Sequence, residues 1–385
     1  MNASDVLEIL GKGEDSQHQF KENFTNAESL AGEMVAFSNS SGGMILIGAT
    51  DEGKLAGLSP DDVRRLNQLI ANTATNNVKN PINPVTENIK VGENLLMVVH
   101  IPEGLDKPYM DNGGVVWIKS GSDKRRVTSK EELRRLFQSS DLIHADEVPV
   151  AGTSEDDLDL DYFSAFYQKQ YEEELVRSGL SILQILNNLN LAKKSNLNLA
   201  GLLLFGKDPN RYKPAFVIKA MSFVGNDPAG DRYRDSVDIK GRLKMQYEDA
   251  IAFLKRNLSY VQNKKSVNSL GDPEIPLIVL EELTVNAILH RNYFINAPIR
   301  LFIFDDRVEI ISPGRLPNNL TIENIKSGNS NIRNDVIASF ATRELPYRGI
   351  GTGIRRALKN YPDIEFVNDT EGELFTAIIR RPMSR

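Results

Sequence analysis

Apolar positions along the chain recur at helical spacing in some stretches and as short runs in others. Ala27–Asn39 has apolar residues at steps of three and four and is expected to be helical. The segment GGMILIGATDEGKLAGL that follows is an apolar run closed by Asp51-Glu52-Gly53, which predicts a strand and a hairpin. Helices are expected near Pro60–Asn72 and at Ser129–Phe137, the second opened by Ser129 with Glu132 three residues later, a capping-box pair. Strands are expected at Leu95–Ile101 and Gly114–Lys119. Further on, Tyr162–Arg177 and Ser181–Leu189 carry helical stripes, and Leu199–Phe205 and Ala215–Val224 are strand-like. Gly241–Asn257 and Pro276–Leu289 then form helical patterns. RLFIFDDRVEIISPG gives two apolar strands around Asp305-Asp306, the clearest hairpin in the chain, and a helix at Gly353–Lys359 and a strand at Leu374–Arg380 follow. Mixed helices and strands of modest length, without an internal repeat, predict an α+β multidomain protein.

The 385 residues suggest two or three domains, and the boundary shows as a change of composition. Ser139–Asp161 holds eight acidic side chains and no Lys or Arg, among Pro, Gly and Ser, and is expected to be a solvated linker or surface loop. The expected division is therefore 1–138, an acidic linker with connecting helices over 139–198, and 199–385. With 41% hydrophobic and 25% charged residues, disorder over most of the chain is excluded. A net charge of −6 gives the whole molecule no field toward nucleic acid, so such contact must come from a local patch. The absence of cysteine excludes disulfides, iron–sulfur clusters and thiol catalysis. Neither a leader pattern nor a membrane-length apolar run is present, and a cytoplasmic location is expected.

The most informative stretch is Glu281–Tyr293. Glu282, Asn286 and His290 follow at steps of four and share one face of a helix whose other positions are apolar. A buried polar stripe of this kind needs hydrogen-bond partners, a metal or a ligand. Arg348-Gly349-Ile350-Gly351-Thr352-Gly353 then leads into a helix, either as a tight connection or as an anion cradle. Together with Ser312-Pro313-Gly314, these motifs occur in an order that resembles the ATP-binding domain of gyrase, histidine kinases, heat-shock chaperones and mismatch-repair ATPases. This is the Bergerat or GHKL fold, here in its divergent, HATPase_c_4-like branch. The resemblance implies an α/β sandwich over 199–385 that binds ATP and Mg²⁺, with Glu282 as general base for water and Asn286 as the Mg²⁺ ligand. It further implies Gly349, Gly351 and Gly353 in the lid, and His290, Ser312, Gly314 and Arg333 at the cofactor. His290-Arg291 and Arg333-Asn334 match that branch, as pocket structure or phosphate contacts. Ser312 stands where the parent fold has an aspartate facing adenine.

Near the N-terminus, Glu14-Asp15-Ser16-Gln17-His18-Gln19-Phe20-Lys21, AFSNSSGGMILIGATDEGKLAGL and VWIKSGSDKRRVTSKEEL resemble, in that order, the Schlafen/AlbA_2 domain over roughly residues 10–138. The resemblance implies an α+β nucleic-acid-binding domain and, in some Schlafen proteins, an RNA endonuclease using three carboxylates. Those positions fall on Glu14, Gln19 and Asp51. Gln19 removes one charge, which should weaken metal affinity and water activation together. Between Lys119 and Arg135 seven basic residues stand against Asp123, Glu131 and Glu132. Of these, Lys119, Lys124, Arg125 and Arg126, with Lys21, are the candidates for phosphate contact, and a solvated charged helix is the alternative. Trp117 and Tyr109 are either base-stacking groups or core.

These features predict an ATP-binding, transcriptional-regulator-like protein in which Mg-ATP in the C-terminal domain modulates a DNA- or RNA-binding N-terminal domain. The alternatives are a metal-dependent nuclease of defence type, an ATPase that dimerises, as this ATP fold often does, and a scaffold without ligands. Relatives often continue into a winged helix, whereas this chain ends at Arg385 directly after a strand, so nucleic-acid contact is expected to rest on the N-terminal domain.

Overall fold

The computed structural model describes residues 1–140, 143–230, 232–261, 271–317 and 320–382. Asp141 and Leu142 of the acidic stretch, and the Glu131 side chain of the basic window, lie outside the described residues. The chain is a multidomain α+β protein whose contacts divide it into two compact units, Met1–Ile143 and His144–Arg385. Among the described residues no helix is long and apolar enough to cross a membrane.

The first unit is built on a four-stranded sheet. Strand β1 (His18–Lys21) runs parallel to β2 (Gly43–Ile47), which pairs antiparallel with the strand Asn94–Ile101; this in turn pairs with Val85–Val91. Alternation along the strands divides the core. Ile45, Ile47, Met97 and Val99 pack with Leu30, Met34 and Phe37 of the helix Ala27–Asn39. Leu46, Leu96 and Val98 face the other way, onto Val6 and Leu10 of the helix Ala3–Lys12. Periodicity did not reveal this first helix, although its cap was readable: Asn2 accepts from the Ser4 and Asp5 amides, and Asp5 accepts back from Asn2.

The turn at Asp51–Gly53 forms, but the predicted hairpin does not. An isolated antiparallel bridge joins Ala49 to Leu55, flanked by Thr50 N donating to Lys54 O at 2.9 Å and Ala56 N donating to Gly48 O at 2.8 Å, and no second strand extends from it. Both edges of β2 are already taken, one by β1 and the other by Asn94–Ile101, so no edge remains for a returning strand.

A six-stranded mixed sheet forms the second unit. Its order is Tyr233–Ile239, Ile218–Phe223, Ile299–Ile303, Arg307–Pro313, Leu374–Arg380, Ile364–Asp369. The hairpin around Asp305-Asp306 is as expected, with Ile303 opposite Val308. The helix Leu277–His290, designated α1 of this unit's site, contacts the strand Arg307–Pro313, the helix Leu243–Asn257 and the short helix Gly353–Asn360, designated α2 of the site.

Three expectations are corrected in this unit. Leu199–Phe205 is a helix, not a strand: Asn198 caps it by accepting from the Gly201 amide at 2.8 Å, and all seven residues are buried. A short, uniformly apolar run has no periodicity by which to separate the two structures, and Leu and Ala without β-branched residues favour the helix. The helix expected over Tyr162–Arg177 stops at Tyr171, where Glu172 turns into the left-handed region at φ 56°. The stretch from His144 onward, expected as part of a solvated linker, packs into the second unit through buried Ala145, Val150 and Leu158. Asp146 is fully buried there, and its Oδ2 accepts from the Ile337 amide in the first turn of the helix Asp335–Glu344 at 2.9 Å.

Candidate functional site

The polar stripe of the helix Leu277–His290 opens into a cleft of about 1010 Å³ of empty space continuous with solvent. Glu282, Asn286 and His290 form one wall, Ser312 and Gly314 come from the end of the strand Arg307–Pro313, and Gly349, Gly351 and Gly353 come from the turn into the helix Gly353–Asn360. Residues separated by up to 71 positions in sequence, from Glu282 to Gly353, thus meet in one cavity. Arg333 does not line it. Its guanidinium braces the wall instead, donating to His290 O at 3.4 Å and Arg315 O at 2.9 Å. Gly314 has φ +108°, and a Cβ there would stand 2.6 Å from Arg333 Nη1, so the close approach requires glycine.

Each polar group of the stripe has a distinct state. Glu282 is buried, and its Oε1 accepts from Arg356 Nη1 at 2.8 Å. Burial raises its pKa above the ordinary carboxylate value, while the Arg356 and Arg348 charges draw it back. Asn286 Nδ2 is buried without a hydrogen-bond partner among the described residues. Burial, aided by the Arg333 charge, pushes His290 down to about 4, so its imidazole is neutral near pH 7. Ser312 Oγ donates to Ala287 O at 3.0 Å. Its single proton is thereby engaged, and toward any ligand the oxygen can only accept.

Three structural partners of this wall carried weaker sequence signals. Arg291 is fully buried; its Nη2 donates to Ile295 O at 3.2 Å and Ala297 O at 2.6 Å, and its guanidinium lies over the Phe216 and Tyr293 rings at 4.6 and 4.8 Å. Asn334 Nδ2 donates to Leu289 O at 2.8 Å and Arg291 O at 3.0 Å. These two residues brace the end of the helix that carries His290. Arg356 was not singled out from sequence, and only its position one turn into the helix after the glycines pointed to it.

Among the described residues no group of three or more His, Cys, Asp or Glu could hold a metal ion. The orphaned Asn286 atom is an N–H donor, which a cation does not satisfy, so a Mg²⁺ ion arriving on phosphates would need the amide reversed to offer its oxygen. Asn286 would then be its protein ligand, after the amide has turned its oxygen toward the ion.

The N-terminal candidates form a different arrangement. Glu14 Oε1 accepts from Gln19 Nε2 and from the Phe20 amide, both at 2.7 Å. Gln19 Oε1 in turn accepts from Lys119 Nζ at 2.6 Å. Lys119 is almost wholly buried, 4.0 Å from Glu33 Oε2 and 4.8 Å from the Phe37 ring centroid, and burial lowers its pKa. Asp51 pairs elsewhere, with Lys21 Nζ at 2.9 Å. The residues carried over as a nuclease centre therefore do not fit a divalent metal: an ammonium already sits against Gln19, and Glu14 and Asp51 have no common partner among the described residues.

The basic candidates are also largely engaged. Lys124 pairs with Glu33 at 2.8 Å, Arg125 pairs with Glu132, and Arg126 lies 5.2 Å from the Trp117 ring. Tyr109 is buried, and Trp117 Nε1 donates to Asp111 Oδ2 at 2.8 Å, which assigns both aromatics to packing. Glu33, buried among these lysines, was missed because it falls within a helix that otherwise reads as core.

Comparison with known proteins agrees with this division. Residues 14–128 match the family described as "Schlafen, AlbA_2", and residues 296–374 match that described as "Putative ATP-dependent DNA helicase recG C-terminal", HATPase_c_4. The second match contains Ser312, Gly314, Arg333, Gly349, Gly351 and Gly353, and begins after Glu282 and Asn286. No curated protein matches the chain. Among solved structures, the DIP2311 protein from Corynebacterium diphtheriae is 19% identical with a TM-score of 0.46, covering 98% of this chain and 81% of that one. The N-terminal domain of a RecG-related protein from Nitrosomonas europaea is 26% identical with a TM-score of 0.25, covering 34% of this chain and 96% of that one.

Proposed function

This chain joins a Schlafen AlbA_2 domain to a HATPase_c_4 region, and from that composition we propose a nucleic-acid-binding regulator whose second unit binds Mg-ATP. The observation that carries the proposal is the convergence of Glu282, Asn286, Ser312 and the Gly349–Gly353 turn on one cleft, with the Asn286 amide left unpartnered inside it. Ser312, able only to accept, suits the exocyclic amine of adenine and disfavours the oxygen that guanine has in its place. The glycine turn and the helix start behind it offer backbone N–H groups to phosphates. Mg²⁺, held by Asn286, would neutralise phosphate charge. Glu282 would orient water and accept its proton.

We assign nucleic-acid binding to residues 14–128, with the backbone and the cationic side chains at the rim of the Lys119–Glu33 cluster as the contact surface. The ion pairs there point to modest, salt-sensitive affinity without strong base selection. The proposed regulation is that nucleotide in the second unit changes this affinity. Calorimetric titration with a non-hydrolysable ATP analogue, with and without Mg²⁺, on the wild type and Asn286→Ala tests the first part. Saturable, Mg²⁺-dependent binding that the substitution abolishes is expected, and absence of binding at millimolar nucleotide would refute it. Nucleic-acid titrations with and without the analogue test the second part, and identical affinities would refute the regulation.

A further inference from the structure

The glycine turn and its helix hold an anion belonging to the protein, the Glu282 carboxylate. Glu282 Oε1 accepts from Arg356 Nη1 at 2.8 Å, and Oε2 lies so close to Gly353 that any side chain there would collide with it. The carboxylate thus sits against the first residue of the helix Gly353–Asn360 and is held from one turn further on. Thr352, the N-cap of that helix, makes no side-chain cap bond, so the donors at this end are not satisfied by their own cap. The Glu282 side chain is 8% exposed and Arg356 28%, which places the pair at the inner edge of the cleft where water screens it little. Beside it, Asn286 Nδ2 lacks any partner among the described residues and would be 3.5 Å from a Cβ on Gly353. A further ligand is therefore called for at this end of the cleft.

A triphosphate entering with its phosphates toward the glycine turn would meet the guanidinium that Glu282 now engages. Two anions would then compete for one guanidinium. Of the other cations near the glycine turn, Arg348 and Arg355 are both exposed, so neither offers a phosphate the desolvated contact that Arg356 can make. We propose that Arg356 distinguishes a nucleoside triphosphate from a diphosphate, and that Glu282 is the internal anion that occupies it until the terminal phosphate arrives. The exchange frees Glu282 from its ion pair at the moment a phosphate is present to be hydrolysed. The inference rests on the cleft being a nucleotide site and adds the residue that recognises the third phosphate.

The experiment is calorimetry on the full chain with Mg²⁺ and either a non-hydrolysable ATP analogue or ADP, for the wild type, Glu282→Gln, Arg356→Gln and Arg356→Lys. The wild type is expected to prefer the analogue, and Arg356→Gln to erase that preference by losing roughly 10- to 100-fold in analogue affinity, with ADP affinity held within about threefold. Arg356→Lys should retain part of the preference, since it keeps the charge without the planar fork. Glu282→Gln should bind the analogue roughly tenfold more tightly, because the competing charge is gone. A preserved preference in Arg356→Gln, or unchanged or weaker analogue binding in Glu282→Gln, overturns the assignment while leaving the nucleotide site intact. Failure of the wild type and Glu282→Gln alike to bind either nucleotide overturns the reading of the cleft itself, and the assignment with it.

Discussion

Asp146 offers a stability test that no ligand is needed to perform. The carboxyl is fully buried; Oδ2 accepts from the Ile337 amide, and Oδ1 has no partner among the described residues. Burial raises its pKa from an ordinary 3.8 to about 6, opposed by the Ile337 hydrogen bond and by the His144 charge, and assisted by Glu147. An acid whose folded pKa is raised favours folding in its protonated form. Its contribution is fully present below the unfolded pKa and is lost as pH rises through about 6. A shift of roughly two units corresponds to about 3 kcal/mol lost over that window. Asp146→Asn keeps an acceptor for Ile337 and removes the titration, although its amide needs a partner of its own, at about 1–2 kcal/mol. The variant should therefore be more stable than the wild type at about pH 7.5 by about 1–2 kcal/mol, and that advantage should vanish or reverse by about pH 4. Urea unfolding followed by far-UV circular dichroism measures the difference between the two proteins at each pH, so groups common to both cancel. Trp117, the only tryptophan, belongs to the first unit, and its fluorescence transition should be the same in both proteins. Stability curves that stay parallel across the pH range would refute the reasoning.

Further outcomes follow from single contacts. Gly353→Ala would put a methyl group between Glu282 and Asn286, in the space proposed for the phosphates, so nucleotide affinity should fall at least roughly tenfold with little loss of helix content, read by calorimetry and circular dichroism. Ser312→Ala removes the bond to Ala287 O and the acceptor facing the base, and should cost about 1 kcal/mol in stability and narrow the preference for an ATP over a GTP analogue. Lys119→Met removes the donor to Gln19 while Glu33 keeps Lys124, and should destabilise the first unit by about 1–3 kcal/mol, visible as an earlier Trp117 fluorescence transition in urea. Undiminished stability there would show that the Lys119 ammonium is not the counter-charge of the cluster.

What the sequence by itself determined were features set by near neighbours. The polar stripe of Glu282, Asn286 and His290 follows from a helical step of four, the hairpin at Asp305-Asp306 from two apolar strands around a polar turn, and the order of motifs along the chain from simple succession. Tertiary structure decided whatever depended on which surface a residue meets. Leu199–Phe205 is helical because its whole circumference is buried, which a pattern of seven apolar residues cannot encode. Asp146 belongs to a core although its neighbours in sequence are acidic, because a helix start almost 200 residues later supplies its donor. The basic window is locally an excess of positive charge, yet Lys119 and Lys124 are drawn inward by Glu33, a residue nearly 90 positions before them. Arg356 acquires its role only where the helix after the glycine turn comes to rest on Glu282. Local patterns are set by backbone geometry and recur wherever the spacing does, whereas the pairing of charges depends on distances that exist only once the chain has closed on itself.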